Sequence, residues 1–176
     1  MISFLNIDKK IRPFNKKITI DGDKSLSIRW ALLASQAIGK SKAYKLLKSE
    51  DVLSALNCLK KLGVKISFKN NYCEINGKGL NSYKYKKNLT LDAGNSGTLG
   101  RLMLGLLTHS NKKIKLVGDK SLSQRDFSRV MQPLEKFGAT FFSNEKSKLP
   151  LSIMGTNYPK PINYFENKGS AQVKTS

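Results

Sequence analysis

The sequence predicts an α/β protein built from repeated βαβαββ units, two of them complete and a third only begun. The chain has 176 residues, of which 39% are hydrophobic and 25% charged, a composition typical of a globular protein. Segments with helical and strand periodicity alternate along it, and the same order of segments recurs after about 72 residues. Since one such unit cannot bury both of its faces, we expect the units to pack around shared helices.

The first unit opens with a predicted helix in the run GDKSLSIRWALLASQAIG, residues 22–39. Ser25 is interpreted as its N-cap and Gly39 as the residue that stops it. The apolar stripe that we expect to face the core consists of Leu26, Trp30, Leu33 and Ala37.

The remaining elements of the first unit follow from periodicity and punctuation. They are a strand at 43–47, a helix at 49–62, and a strand pair at 64–68 and 72–75. Glu50 and Asp51 complement the positive end of the dipole in the first turn of that helix, and Gly63 ends it.

The second unit repeats this plan. Its elements are a helix within 94–109, a strand at 113–117, a helix from near Ser123 to Gly138, and a strand pair at 139–143 and 149–154. Arg29 and Arg101, 72 positions apart, should occupy equivalent places near the starts of two helices. The run GSAQVKTS, residues 169–176, is interpreted as the start of a third unit.

The charge of the chain is strongly positive, at +20 from 32 basic and 12 acidic residues. The lysines are scattered singly or in pairs, which is more typical of a solvated surface than of a face that binds polyanions. No apolar run approaches the ~18 residues that a membrane span needs. The N-terminal sequence lacks the features of a signal peptide, so we expect a cytoplasmic protein.

The arginines are more informative, because arginine is the residue suited to bidentate binding of carboxylate or phosphate. Arg29, Arg101 and Arg125 each lie in a cluster of small polar residues near a predicted helix start, where backbone N–H groups favour anions. This combination predicts small anionic ligands.

Cysteine and histidine are too few for several kinds of site. Cys58 and Cys73 lack C-x-x-C spacing, and His109 is the single histidine of the sequence. A disulfide scaffold, a zinc site and a Cys–His nucleophile pair therefore each lack a component. We expect both cysteines to be small buried hydrophobic residues and predict no metal site.

Five runs carry a resemblance to a known family. They are GDKSLSIR (22–29), SEDVLSAL (49–56), LDAGNSGTLGR (91–101), GDKSLSQR (118–125) and GSAQVK (169–174). In this order the sequence resembles the enolpyruvyl transferases, most closely the branch that acts on shikimate-3-phosphate. The resemblance implies two lobes, each an inside-out α/β barrel of three βαβαββ units. On that pattern residues 1–17 belong to the second lobe, and residues 18–176 form the first lobe, incomplete at its C-terminus.

The activity implied by the resemblance belongs to the biosynthesis of aromatic amino acids. A transferase of this kind moves the enolpyruvyl group of phosphoenolpyruvate to the 5-hydroxyl of shikimate-3-phosphate and releases phosphate, without a cofactor or metal. Its partners are these two small molecules, not nucleic acid or membrane, and the full-length enzyme is expected to be a monomer. The acid and base carboxylates are expected beyond Ser176, so we expect no catalytic residue in this chain and no activity from it alone.

The same resemblance implies a set of binding residues. Shikimate-3-phosphate would contact Lys24, Ser25, Arg29, Ser170 and Gln172, and phosphoenolpyruvate would contact Lys24, Asn95, Gly97, Arg125 and Gln172. Arg101 is interpreted as a structural partner in preference to a ligand-binding residue. Asp126 stands where the family usually has proline, and its carboxylate could pair with Arg125 and weaken its hold on a ligand.

Two alternatives stay open at this point. The first is the enolpyruvyl transferase that acts on UDP-N-acetylglucosamine, although its usual cysteine near position 115 and its Lys-Asn pair at 24–25 are missing here. The second, from another class, is a basic module that binds nucleic acid. A steep loss of DNA affinity with salt would be its signature.

Overall fold

The computed structural model describes residues 15, 17–70, 72–166 and 169–176. The predicted assignment of residues 1–17 to a second lobe therefore falls almost entirely outside the described residues. No helix within the described ranges is long and apolar enough to cross a membrane.

The first unit contains two helices and an antiparallel sheet. Its elements are α1 (Lys24–Gln36), β1 (Ile38–Ala43), α2 (Glu50–Lys61), β2 (Lys65–Lys69) and β3 (Tyr72–Lys78). The strand order is β1-β3-β2, with Ser41 opposite Ile75 and Ile66 opposite Ile75 on the other side. The predicted helix at 49–62 and the predicted strand pair are confirmed.

The second unit adds one strand and one short helix to this plan. Its elements are β4 (Thr90–Asp92), α3 (Gly97–Leu106), β5 (Ile114–Val117), α4 (Lys120–Ser123), α5 (Ser128–Phe137), β6 (Thr140–Ser143) and β7 (Leu151–Met154). The strand order is β4-β5-β7-β6, with β4 parallel to β5 and the other pairs antiparallel. Helix α6 (Ala171–Thr175) follows at the C-terminus.

A continuous hydrophobic core joins the two units. α1 packs on α2 and α3, and α3 packs in turn on α5 and α6. Large side chains that are fully buried there include Ile28, Leu59, Leu99, Met103, Ile114 and Phe127. Shared helices thus bury the inner faces of both sheets, as the repeat predicts.

The predicted core stripe of α1 is wrong for Leu26 and Leu33, whereas Trp30 is partly buried and packs against the core. Leu26 and Leu33 are 68% and 67% exposed, whereas the buried face is formed by Ser27, Ile28, Ala31, Leu32, Ala34 and Ser35. Small and apolar residues lie on both faces of this helix, so helical periodicity alone does not choose between them. The predicted cap is wrong as well, since the carboxylate of Asp23 accepts from the Leu26 N–H at 2.7 Å and the helix begins before Ser25.

The strand after α1 starts earlier than predicted. α1 ends at Gln36, and Gly39, with a φ of +91°, lies inside β1 and does not stop the helix. β1 ends at Ala43, where the prediction began a strand, because Lys45 adopts a left-handed φ of +57° that breaks extended backbone.

The predicted helix from Ser123 to Gly138 divides into two. α4 ends at Ser123, and α5 begins at Ser128 and closes at Gly138, whose φ of +119° provides the expected left-handed end. The break at 124–127 leaves Arg125 and Asp126 outside both helices.

Candidate functional site

Parallel pairing of β4 with β5 creates the setting of the site. Parallel strands end at the same edge of a sheet, so the loops that follow Asp92 and Val117 lie side by side. The Ala93 N–H donates to the Val117 carbonyl at 2.9 Å, and the Asp119 N–H donates to the Gly94 carbonyl at 2.9 Å. The start of α3 is thereby held beside the start of α4.

Two guanidinium groups converge over the first residue of α3. A Cβ atom at Gly97 would lie 2.9 Å from Nη1 of Arg101 and 3.1 Å from Nη1 of Arg125. The Ser96 hydroxyl caps this helix by accepting from the Leu99 N–H at 3.2 Å. The absence of a side chain at Gly97 therefore lets both arginines reach a helix N-terminus, where a partial positive charge favours anions.

These arginines line a cleft of about 370 Å³, which we name the arginine cleft. Its lining residues are Arg101, Arg125, Asp126, Arg129, Val130, Ser170, Gln172 and Val173. Three of the five arginines of a lysine-dominated chain thus meet in one place, and none of the described residues that line the cleft is a lysine. Burial lowers the pKa of Arg101 from its ordinary value, and the positive charge of Arg125 lowers it further. This concentration of positive charge suits a phosphate or carboxylate.

Helix α6 brings its residues to the cleft from the C-terminal end of the chain. The Ser170 hydroxyl accepts from the Val173 N–H at 3.3 Å and so caps α6. The Gln172 side-chain amide donates to the Thr98 hydroxyl at 3.3 Å, which joins α6 to α3. Ser170 and Gln172 therefore line the same cleft as Arg125.

Among the described residues, Asp126 forms no ion pair with Arg125. The Asp126 carboxylate instead accepts from the backbone N–H of Ser128 at 2.8 Å and from its hydroxyl at 2.5 Å. These two hydrogen bonds are the main causes that hold the pKa of Asp126 below its usual range. Arg125 donates to the side-chain carbonyl of Asn95 at 3.2 Å. Asp126 thus organises the start of α5 and leaves Arg125 to face the cleft.

The contacts of Arg101 are structural ones. Its Nη2 donates to the backbone carbonyl of Asp126 at 2.9 Å, and its guanidinium lies 4.9 Å from the centre of the Phe127 ring. Arg101 therefore ties α3 to the segment that precedes α5, with a carbonyl and an aromatic ring as partners in place of a carboxylate.

The other predicted site residues, Lys24, Ser25 and Arg29, all lie on α1, and we name them the α1 group. Lys24 Nζ lies 3.0 Å from a carboxylate oxygen of Asp51, at the start of α2. Arg29 Nη1 approaches the Ser25 carbonyl at 3.4 Å, as Arg101 Nη1 approaches the Gly97 carbonyl at 3.4 Å. The repeat therefore places Arg29 and Arg101 equivalently, which confirms that prediction.

The structure thus distributes the predicted binding residues between the α1 group and the arginine cleft, where Asn95 and Gly97 do not line the cleft but lie against Arg125. No hydrogen bond or ion pair within the described ranges joins one group directly to the other. Sequence reasoning missed Arg129, although its spacing of four from Arg125 was a visible signal. It also assigned Asp51 only to the helix dipole, whereas Asp51 holds Lys24.

The repeated fold and the arginine cleft define an α/β lobe of the enolpyruvyl transferase type. Residues 9–176 match the family model described as EPSP synthase (3-phosphoshikimate 1-carboxyvinyltransferase). A protein of that name from Caldicellulosiruptor saccharolyticus is 40% identical over 166 residues, which is 94% of this chain and 38% of the relative. One from Thermoanaerobacter sp. is 40% identical over 168 residues, or 96% of this chain and 39% of the relative.

Solved structures agree with this assignment. EPSP synthase from Acinetobacter baumannii superposes with a TM-score of 0.84 at 36% sequence identity, over 91% of this chain and 36% of that chain. The chain belongs to the EPSP synthase family. It spans somewhat over a third of the length of the relatives that it matches.

Proposed function

We propose that this chain is the part of a 3-phosphoshikimate 1-carboxyvinyltransferase that binds shikimate-3-phosphate and one side of phosphoenolpyruvate. The observation that carries the proposal is the convergence of Arg101 and Arg125 over Gly97, beside Gln172, in a chain of this family. Both substrates carry phosphate and carboxylate groups, and a helix N-terminus with fixed guanidinium groups suits such ligands.

The two groups of residues would take different ligands. The α1 group, with Ser170 and Gln172, would hold shikimate-3-phosphate, while Asn95, Gly97, Arg125 and Gln172 would hold phosphoenolpyruvate. Lys24 would contact both substrates, and its ion pair with Asp51 at 3.0 Å keeps its ammonium group at the start of α2. Fixed positive groups of this kind hold the phosphate and carboxylate groups of the substrates, and they stabilise the negative charge that grows on the phosphate as it leaves, without reorganising during the reaction.

The reaction also needs proton transfer. As the 5-hydroxyl oxygen adds to C2 of phosphoenolpyruvate, that hydroxyl loses a proton and the methylene carbon gains one; phosphate then leaves as the methyl carbon gives a proton back. In the arginine cleft as described, Asp126 is the carboxylate among the lining residues, and its oxygens are bonded to Ser128. We propose that the acid and base lie outside these 176 residues, and that residues 18–176 act as one lobe of the enzyme.

Calorimetric titration of the chain with shikimate-3-phosphate tests the binding proposal. We expect saturable binding that Lys24→Met and Arg29→Met weaken at least about tenfold, as expected for charge-assisted hydrogen bonds. Lys40→Met is the matched control, because Lys40 forms a similar exposed ion pair with Glu74 at 3.2 Å, away from both groups. Equal losses for Lys24→Met and Lys40→Met would contradict a specific role for Lys24.

A second assay tests the division of labour. Mixing the chain with both substrates should release no phosphate above background, and sustained turnover would contradict the proposal that the acid and base lie elsewhere.

The proposal also includes a cytoplasmic protein whose full-length form is a monomer and whose positive charge serves small phosphorylated ligands. Binding of DNA with a steep salt dependence would instead favour the nucleic-acid-binding alternative.

A further inference from the structure

Asp119 lies next to the arginine cleft but is not one of its lining residues, and it makes two different side-chain hydrogen bonds. One carboxylate oxygen accepts from the Leu122 N–H at 2.7 Å and caps α4. The other accepts from the side-chain amide of Asn95 at 2.8 Å. The Asp119 backbone N–H donates to the Gly94 carbonyl at 2.9 Å, so the residue is anchored on both sides.

The second hydrogen bond sets the orientation of the Asn95 amide. A carboxylate only accepts hydrogen bonds, so Asn95 must turn its NH₂ group toward Asp119. Its carbonyl oxygen then faces the other way, where Arg125 Nη2 donates to it at 3.2 Å. Arg125 has only donors, so the opposite amide orientation would set donor against donor.

We propose that Asp119 is a positioning residue that orients the Arg125 guanidinium through Asn95. The inference rests on the proposed function, in which Arg125 binds phosphoenolpyruvate, and adds a residue to which the resemblance assigns no role. Arg125 is exposed and lies outside regular helix, so without this contact its long side chain would sample several rotamers. A guanidinium held in one orientation loses less entropy when a phosphate or carboxylate binds.

The other copy of the same motif provides a built-in comparison. The run GDKSLS occurs at 22–27 and again at 118–123. Asp23 caps α1 through the Leu26 N–H at 2.7 Å, which matches the cap that Asp119 makes. Within the described part of the chain, the hydrogen bond to an asparagine is seen for Asp119 and not for Asp23. Capping and positioning can therefore be separated by equivalent changes at the two positions.

The test uses nuclear magnetic resonance of the arginine side chains in the 176-residue chain without ligand. Asp119→Asn keeps a capping oxygen but presents an NH₂ group to Asn95, so that the Asn95 amide turns over and the acceptor for Arg125 is lost. We expect rotation of the Arg125 guanidinium to become about tenfold faster, as for loss of one hydrogen bond to a charged group. Asp23→Asn should leave the Arg125 signals unchanged.

A reversed pair, in which the side chains at positions 95 and 119 are exchanged, separates loss of positioning from a general loss of structure. In the double variant Asn95→Asp and Asp119→Asn, the carboxylate at 95 accepts both from the amide at 119 and from Arg125, and the net charge of the chain is unchanged. Slow rotation of Arg125 should return in this variant. Asp119→Ser provides a second loss variant, since serine caps helices well but has only one oxygen.

The outcomes distinguish this inference from the proposed function. Unchanged Arg125 rotation in both Asp119→Asn and Asp119→Ser would overturn it, as would failure of the reversed pair to restore slow rotation. A titration with phosphoenolpyruvate is measured separately on the same samples. If Arg125 loosens as expected but the wild-type chain does not bind phosphoenolpyruvate, the positioning contact stands and the proposed ligand fails.

Discussion

The two repeat units differ most clearly in the strand that precedes their first helix. In the second unit β4 pairs with β5 and buries Leu91 completely. The corresponding residues of the first unit, 72 positions earlier, form no strand, and Ile18 and Ile20 are 76% and 75% exposed. The loops after β4 and β5 are joined by backbone hydrogen bonds and hold the starts of α3 and α4 side by side next to the arginine cleft. Within its described residues, the first unit lacks the strand that would make this arrangement there.

The helices and antiparallel strand pairs are nevertheless repeated closely. β2 and β6 begin 75 positions apart, at Lys65 and Thr140, one residue after the predicted openings at 64 and 139. Both are followed by an antiparallel partner. Local contacts therefore recur with the sequence period. The parallel pairing of β4 with β5 does not recur in the first unit. It joins two strands that a helix separates in the sequence, so whether such strands pair depends on packing between distant segments.

The largest expected effect concerns this strand directly. Leu91→Ala should lower the free energy of unfolding by about 2 to 5 kcal/mol, because it leaves a cavity between β4 and the helices. The matched change Ile18→Ala should alter stability by less than about 0.5 kcal/mol, since that side chain is largely exposed. Urea unfolding of both variants measures the difference. Similar losses would mean that residues 18–20 pack as β4 does.

The next comparison uses the equivalent positions Gly97 and Ser25. In Gly97→Ala the new methyl group meets the ends of two flexible arginine side chains, which can move. The free energy of unfolding should therefore change by less than about 1 kcal/mol. Displacement of Arg125 should weaken phosphoenolpyruvate binding by about tenfold. Ser25→Ala should leave that affinity unchanged if Ser25 serves shikimate-3-phosphate. Calorimetric titration checks both, and unchanged affinity in Gly97→Ala would remove Gly97 from the site.

Much of the site could be predicted from the arginines. Their scarcity in a lysine-rich chain, and their place beside glycine and serine at helix starts, predict anion binding near Arg101 and Arg125. The stop at Gly138 and the burial of both cysteines were also predictable, because each depends on one residue and its neighbours. Features that depend on residues close together in the sequence could therefore be predicted.

The remainder depends on packing between distant segments. Asp119 meets Asn95 only because β4 and β5 run parallel, and no spacing within one segment indicates that. The buried face of α1 was mispredicted because Ile28 and Leu32 compete with Leu26 and Leu33 for the core, and the neighbouring helices decide which pair is buried.

The first helices of the two units also differ in how they are capped. Ser96, which caps α3, is almost fully buried, whereas Asp23, which caps α1, is exposed. Ser96→Ala should therefore cost about 1 to 2 kcal/mol of stability, and Asp23→Ala about 0.5 to 1 kcal/mol, because a buried N–H cannot turn to water. Urea midpoints of the two variants provide the test, and a larger loss for Asp23→Ala would contradict it.

The last comparison is an alkaline pH response that comes from the first unit, which contains both cysteines. Burial raises the pKa of Cys58 and of Cys73 to about 11, and Cys58 donates to the Asp92 carbonyl at 3.2 Å.

In the unfolded chain these thiols ionise near pH 9, so unfolding releases protons between about pH 9 and 11 and stability falls as the pH rises through that window. For each thiol these two pKa values imply a loss of stability on the order of 1 kcal/mol at pH 10 relative to pH 8. Urea unfolding at the two pH values should show a smaller loss in a variant with Cys58→Ala and Cys73→Ala than in the wild type, whatever the variant's stability at pH 8. Equal losses would mean that the thiols keep their ordinary pKa and that solvent reaches them in the folded chain.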